Sequence, residues 1–251
     1  VDNRNLFGAW SFIADAKDVM TLHEAVQEQY VSENSTFCQG SPMLGADVCL
    51  EGFGEQQQQF YTQEQENHML REAVQAAEEA DIVVLAIGED RLQSGEATSN
   101  ANIRIPEVQE TLLDRTAEVN QNIVVVLFSG RPLDIREINK KAKAILQVWL
   151  PGTEGARAIA DTLFGKYNPS GKLPMSFPYC VGQVPVHYNE YSTGRPHVEG
   201  KDKDRFRSKY LDIPNEPLYP FGYGLSYTTF EVSDIQLNQT WMDTSGQIEA
   251  E

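Results

Sequence analysis

Basic residues are scarce in this chain: 20 Lys and Arg stand against 37 Asp and Glu, a formal charge of −17. That balance disfavours nucleic acid and anionic membranes as partners and suits neutral ligands, with most of the acids read as solvated surface. Long apolar runs are missing too. No stretch approaches the ~20 residues that span a bilayer, and the opening VDNRNLFGAW lacks the basic-then-apolar build of a signal peptide, so the chain reads as a mature product or a fragment. Cysteine is sparse: Cys38, Cys49 and Cys180 show no CxxC spacing and no clustered histidines, which argues against zinc. Cys38 and Cys49 flank a loop-like segment that would close as a small disulfide in an oxidising compartment, while an odd cysteine count equally suits buried thiols. Two Asn-x-Ser/Thr triplets, at Asn34 and Asn238, are too common by chance to decide between these.

Several catalytic signatures are absent. Neither GxGxxG nor GxxxxGK[ST] follows any predicted strand, and the loop after Ile87 carries Glu89, Asp90 and Glu96, whose charges repel phosphate. Those acids lack the further ligands at fixed spacing that a divalent cation needs. No GxSxG turn occurs, and His23, His68, His187 and His197 offer no spacing that singles out a base.

What is present is an α/β rhythm. With 251 residues, 41% of them hydrophobic, the chain can build a real core. The spacing of Val19, Leu22, Ala25 and Val26 predicts an amphipathic helix over 15–30, and the polar tract 51–66 reads as an irregular connection. A helix follows in HMLREAVQAAEEA, then DIVVLAIGED as a strand covered on both faces. PEVQETLLDRTAEVN predicts a helix opened by Pro106, NIVVVLFSGRPLDI and AKAILQVWLPG two more strands, and TEGARAIADTLFGKYNPSG a helix capped by Thr153 and stopped at Gly165. Such alternation predicts a mostly parallel sheet sandwiched between helix layers, with ligands meeting the loops at the strands' carboxyl ends. From Lys172 the pattern breaks into short pieces rich in proline and aromatics, an irregular extension wrapped over the domain.

Within LQSGEATSN, Glu96 stands between glycine and small residues where the first strand opens into a loop. Glycoside hydrolysis needs two carboxyl groups, one held protonated to serve the leaving oxygen. Small neighbours would let a sugar approach Glu96, and Glu89 and Asp90 would raise its pKa through like-charge repulsion. Tyr188, Tyr191, Tyr210, Tyr219, Phe221 and Tyr223 in the extension could stack on a sugar ring.

Taken in order and spacing, GED with SGEATSN, IPEVQETLL, VLFSGRPLDI, ILQVWLPGTEGARAIADTLFGKYNPSGKLPMSFP, VGQVPVHYN, STGRP and PLYPFGYGLSYTTF resemble the second domain of bacterial β-glucosidases of glycoside hydrolase family 3. The resemblance runs from about Asn3 to Leu237 and lies close to the periplasmic subgroup, which implies a periplasmic or secreted location. It implies a three-layer α/β/α sandwich of about six strands over residues 1–230. Residues 231–251 would be a linker into a fibronectin-like domain. It also implies that Glu96 is the acid/base, paired with an aspartate nucleophile on an amino-terminal (β/α)8 barrel absent from this chain. Retaining exo-hydrolysis of β-linked gluco-oligosaccharides or aryl glucosides would follow, with no cofactor and no metal. A β-xylosidase and a noncatalytic carbohydrate-binding or scaffold domain are the alternatives. Relatives often carry arginine at the position of Asn100. Arg131 in SGRP and Arg195 in TGRP are expected to hold loops rather than perform chemistry, and FGYG to form a turn with packed rings.

Overall fold

The computed structural model describes residues 3–8, 10–11, 15–30, 35–45, 61–201 and 203–250. Cys49, Asn34 and residues 51–60 of the polar tract lie outside them, so the Cys38–Cys49 pairing does as well. The elements in chain order are α1 (Leu22–Tyr30), α2 (Gln63–Glu79), β1 (Val83–Gly88), α3 (Glu107–Val119), β2 (Ile123–Phe128), α4 (Arg136–Lys141), β3 (Ala144–Gln147) and α5 (Gly155–Leu163). Among the described residues no helix is long and apolar enough to cross a membrane.

The three strands form one parallel sheet in the order β1-β2-β3, with Val83 opposite Ile123 and Val124 opposite Ala144. Strand side chains alternate between faces, and β2, the central strand, divides its own between two cores. Ile123, Val125 and Leu127 join Leu85 and Ile87 of β1 under α2, α3 and α4, where Ala73, Leu112, Leu113 and Ile138 close the packing. Val126 and Phe128 face the other way, against Leu22 and Ala25 of α1 and Ala156, Ile159 and Ala160 of α5. A strand covered on both faces has no polar positions to show, which is why IVVVLF reads as a continuous apolar run. The α/β/α layering is as the sequence predicts; the described residues hold three strands of it.

Boundaries moved where local capping overrode periodicity. The first helix starts at Leu22, seven residues past Asp15, because Thr21 and Glu24 close a reciprocal cap: the Glu24 carboxylate accepts Thr21 N–H at 2.7 Å and the Thr21 hydroxyl accepts Glu24 N–H at 3.2 Å. Thr62 and Gln65 do the same for α2, which therefore takes in 63–66 of the tract read as irregular. Pro106 sits one residue before α3, and Glu154, not Thr153, precedes α5 without a side-chain bond. Gly165 does end α5, at φ +74°. The six-residue α4, REINKK, is too short to display a period and was not predicted.

The extension is wrapped as expected. Phe177 is buried in the first core and pairs antiparallel with Tyr219. The buried Gln183 amide donates to the carbonyls of Pro214, Asn215 and Glu216, gathering a loop around one side chain. FGYG is a turn: Gly222 has φ +80°, and the rings of Tyr219 and Tyr223 lie 4.8 Å apart.

Candidate active site

Parallel strands deliver their carboxyl ends to one edge, so the loops after β1, β2 and β3 gather there. β1 ends on Gly88, whose peptide is bracketed by the buried Gln109 of α3. Gln109 accepts Gly88 N–H at 2.7 Å and donates to Gly88 O at 3.0 Å and to Met43 O at 2.7 Å. Glu89 N–H then donates to Phe128 O at 2.9 Å, the last bond of the β1–β2 ladder.

Beyond Glu89 the chain makes a single 3-10 turn, Arg91–Gln93. Asp90 caps it, its carboxylate accepting Leu92 N–H at 2.9 Å while Gln93 Oε1 accepts Asp90 N–H at 2.8 Å. Asn5 Oδ1 accepts Arg91 N–H at 2.9 Å, tying the amino-terminal segment to the same turn. Asp90 is thus a cap.

Glu96 stands at the tip of the next turn, exposed, between two residues with left-handed backbone: Gly95 at φ 130° and Ala97 at φ 58°. Thr98 Oγ1 donates to Gly95 O at 2.7 Å, closing the turn under it. A non-glycine residue in this region costs ~1–2 kcal/mol, so the surroundings must hold Ala97 in place. They do so through Arg131, in the loop after β2. Its Nη2 donates to Thr98 O at 2.9 Å and also to Gln93 O. Its Nε lies 3.0 Å from Glu89 Oε1, in an ion pair rather than an aligned hydrogen bond. Asn100 Nδ2 and Gly130 N–H each approach the same carboxylate at 3.4 Å. Asn100 therefore reaches the acid that anchors the loop.

Sequence reasoning treated Glu89 as a charge near Glu96 and as one of three acids weighed for a divalent cation. The structure makes it the buried pivot of this edge, 2% exposed, and nothing in its local sequence marks that. Burial pushes its carboxyl above the usual glutamate range, with the Arg131 guanidinium opposing. The native protein then holds this proton more tightly than the unfolded chain. The stability so contributed is complete below the unfolded value, about 4.3, and is lost as pH rises through the raised native value. Glu89→Gln mimics the protonated form, so its stability relative to the parent chain should improve between pH 4 and 7, measured by thermal unfolding. A change in the opposite direction would show that the Arg131 charge outweighs burial.

The aromatic residues divide. Tyr188 and Phe221 stack on each other, centroids 4.1 Å apart, and Tyr219 donates its hydroxyl to Asn139. Tyr191 is 96% exposed. Arg195 contributes its carbonyl, which accepts Ser208 N–H at 2.8 Å, while Arg207 fastens the same loop through Pro196 O at 2.9 Å. His187 is exposed, His23 stacks on Phe37 and His68 approaches Glu72. Among the described residues, no three His, Cys, Asp or Glu side chains gather as metal ligands.

Residues 1–227 match the family model described as the glycosyl hydrolase family 3 C-terminal domain. The chain belongs to this family. A periplasmic beta-glucosidase of Salmonella typhimurium is 50% identical over 182 residues, 72% of this chain and 24% of that protein. A beta-xylosidase of Formosa agariphila is 40% identical over 175 residues, 70% of this chain and 23% of that protein. Among solved structures, the beta-glucosidase of Listeria innocua in complex with isofagomine superposes with a TM-score of 0.74 at 37% identity, covering 94% of this chain and 29% of that one. The family 3 domain described here thus spans about a quarter of the length of the relatives it matches.

Proposed function

We propose that this domain supplies the acid/base glutamate, Glu96, to a retaining exo-β-glucosidase. The aspartate nucleophile would stand on a (β/α)8 barrel outside these 251 residues. The observation that carries the reading is the presentation of Glu96: exposed at the tip of a braced turn, at the ligand-binding edge of a parallel sheet, in a family 3 C-terminal domain. In a retaining mechanism the two carboxyl groups stand ~5 Å apart, so a protruding side chain is what a domain must offer to reach a partner across an interface. Glu96 protonates the departing oxygen while the aspartate attacks the anomeric carbon. As carboxylate it then takes a proton from the water that releases glucose. No cofactor enters these steps.

The substrates are terminal nonreducing β-D-glucosyl residues of oligosaccharides or aryl glucosides. The name of the Salmonella relative supports glucose as the sugar and a periplasmic or secreted location. The Formosa relative favours β-xyloside hydrolysis as the second reading, at lower identity. Residues 1–230 form the domain proper. Residues 231–251, where Val232 and Ile235 are 94% and 76% exposed, lead toward a fibronectin-like domain.

By itself the chain is expected to hydrolyse nothing, because acid catalysis contributes only ~10²- to 10⁴-fold and the nucleophile that divides the reaction into two easier steps is elsewhere. Turnover of an aryl glucoside by the purified chain would overturn this. In a protein carrying barrel and domain together, Glu96→Ala with added azide should yield β-glucosyl azide. Without the carboxylate's charge the anion can attack the glucosyl-aspartate, and the azide replaces the aspartate at carbon with net retention. Absence of that product, or an α-configured azide, would remove Glu96 from the role.

A further inference from the structure

We propose that Arg131 is the positioning residue for Glu96: a guanidinium clamp that closes the base of the acid/base turn and transmits the rigidity of the sheet to it. The inference rests on the reading of Glu96 just given. Three observations carry it. The carbonyls of Gln93 and Thr98 are the two feet of the turn that lifts Glu96, and one guanidinium nitrogen of Arg131 donates to both. The clamp is itself fixed, since Nε lies 3.0 Å from a carboxylate that is 2% exposed and that also draws on Gly130 N–H and Asn100 Nδ2. Finally, Arg131 lies three residues beyond Phe128, the buried last residue of the central strand.

The intervening Gly130 matters for the same reason. A Cβ there would overlap the Ser94 hydroxyl and lie 2.7 Å from Ser94 Cβ, so only glycine lets the turn settle against the end of β2. The loop from Ser94 to Ala97 carries two left-handed residues, a shape that free chain would leave. Joining its feet to one planar, permanently charged group restricts that escape. Lysine could supply the charge but not a fork that spans Glu89 and both carbonyls. Arg131 touches no reacting atom in this scheme and acts through where it leaves Glu96.

The test uses a protein carrying barrel and domain together, with two glucosides, one with a poorly acidic aliphatic alcohol as leaving group and one with dinitrophenol. Displacing a catalytic group by about 1 Å can cost ~10²-fold. Arg131→Gln should therefore lose roughly 10- to 100-fold in kcat/KM on the alkyl glucoside and less than about 3-fold on the dinitrophenyl glucoside, which leaves without a proton. Arg131→Lys should behave like Arg131→Gln. In the 251-residue chain, hydrogen exchange at the hydrogen-bonded amides of Leu92 and Gln93, at the foot of the turn, should accelerate in Arg131→Gln while those of β2 stay protected. Equal loss on both glucosides, unchanged rates, recovery by Arg131→Lys, or unaltered exchange in the turn would each overturn the proposal. A Glu96→Gln control keeps the two readings apart. If the control loses uniformly, the acid/base reading falls and takes the positioning role with it. If the control discriminates between leaving groups and Arg131→Gln does not, Arg131 alone is excluded.

Discussion

Glu96→Gln, in a protein that carries barrel and domain together, is expected to lose about 10²- to 10⁴-fold in kcat/KM on β-linked disaccharides and alkyl glucosides. On a dinitrophenyl glucoside it should lose much less. Gln keeps the size of the side chain but has no proton to give, so the barrier rises in proportion to how far the leaving oxygen depends on protonation. The second half-reaction should suffer on every substrate, because the amide cannot take a proton from water. With the activated glucoside, formation of the glucosyl intermediate then outruns its hydrolysis, and a burst of dinitrophenolate followed by a slow steady state is the expected trace. Folding should be untouched, since Glu96 is exposed. A loss of equal size across leaving groups, with no burst, would show that Glu96 is not the proton donor.

Gly88→Ala should be the most destabilising single change at this edge. Gly88 has φ +149°, a conformation that side chains rarely adopt, and it pairs with Phe128 in the sheet register. A Cβ would overlap the Phe128 carbonyl oxygen and lie 2.7 and 2.8 Å from Phe128 C and N. Those atoms belong to the main chain of the central strand, and that carbonyl already accepts Glu89 N–H. They cannot swing aside as a flexible side chain would. Gln109 grips both polar atoms of the Gly88 peptide, so β1 cannot rotate away without losing those bonds. Strain and lost ladder bonds together should cost about 4 kcal/mol or more. For a chain of this size that corresponds to a fall of roughly 8 to 16 °C in Tm, read by thermal unfolding. A variant melting within about 2 °C of the parent would mean that the strand end is looser than its geometry implies. Because Glu89 follows directly, the same change should also loosen the turn that bears Glu96.

The layered α/β fold was legible in the sequence because burial on both faces erases polar positions. DIVVLAIGED and NIVVVLFSGRP hold such runs, and both became strands of the sheet, β1 and β2; β2 alone is buried along both faces, since Val84 of β1 is 45% exposed. Helix starts were less legible. Thr21 and Thr62 open α1 and α2 through side-chain bonds to main-chain N–H groups three residues on, and such caps are invisible to a reading based on apolar spacing. Arg131 was legible as a residue that holds a loop, since guanidinium stays charged and forks onto carbonyls. Which loop it holds was not.

Local sequence was sufficient for the strands, for the turn at SGEATSN and for Glu96 as the exposed acid within it, since each depends on residues a few positions apart. Glu89, Gln109, Gly130 and Arg131 acquire their roles only when β1, β2 and α3 come together. Glu89 meets Arg131 across 42 positions of sequence, and Gly88 meets Gln109 across 21. Burial and long-range pairing turn an ordinary loop glutamate into a fixed pivot, because the energy of a charge depends on the solvent around it and the partner beside it, and chain order specifies neither.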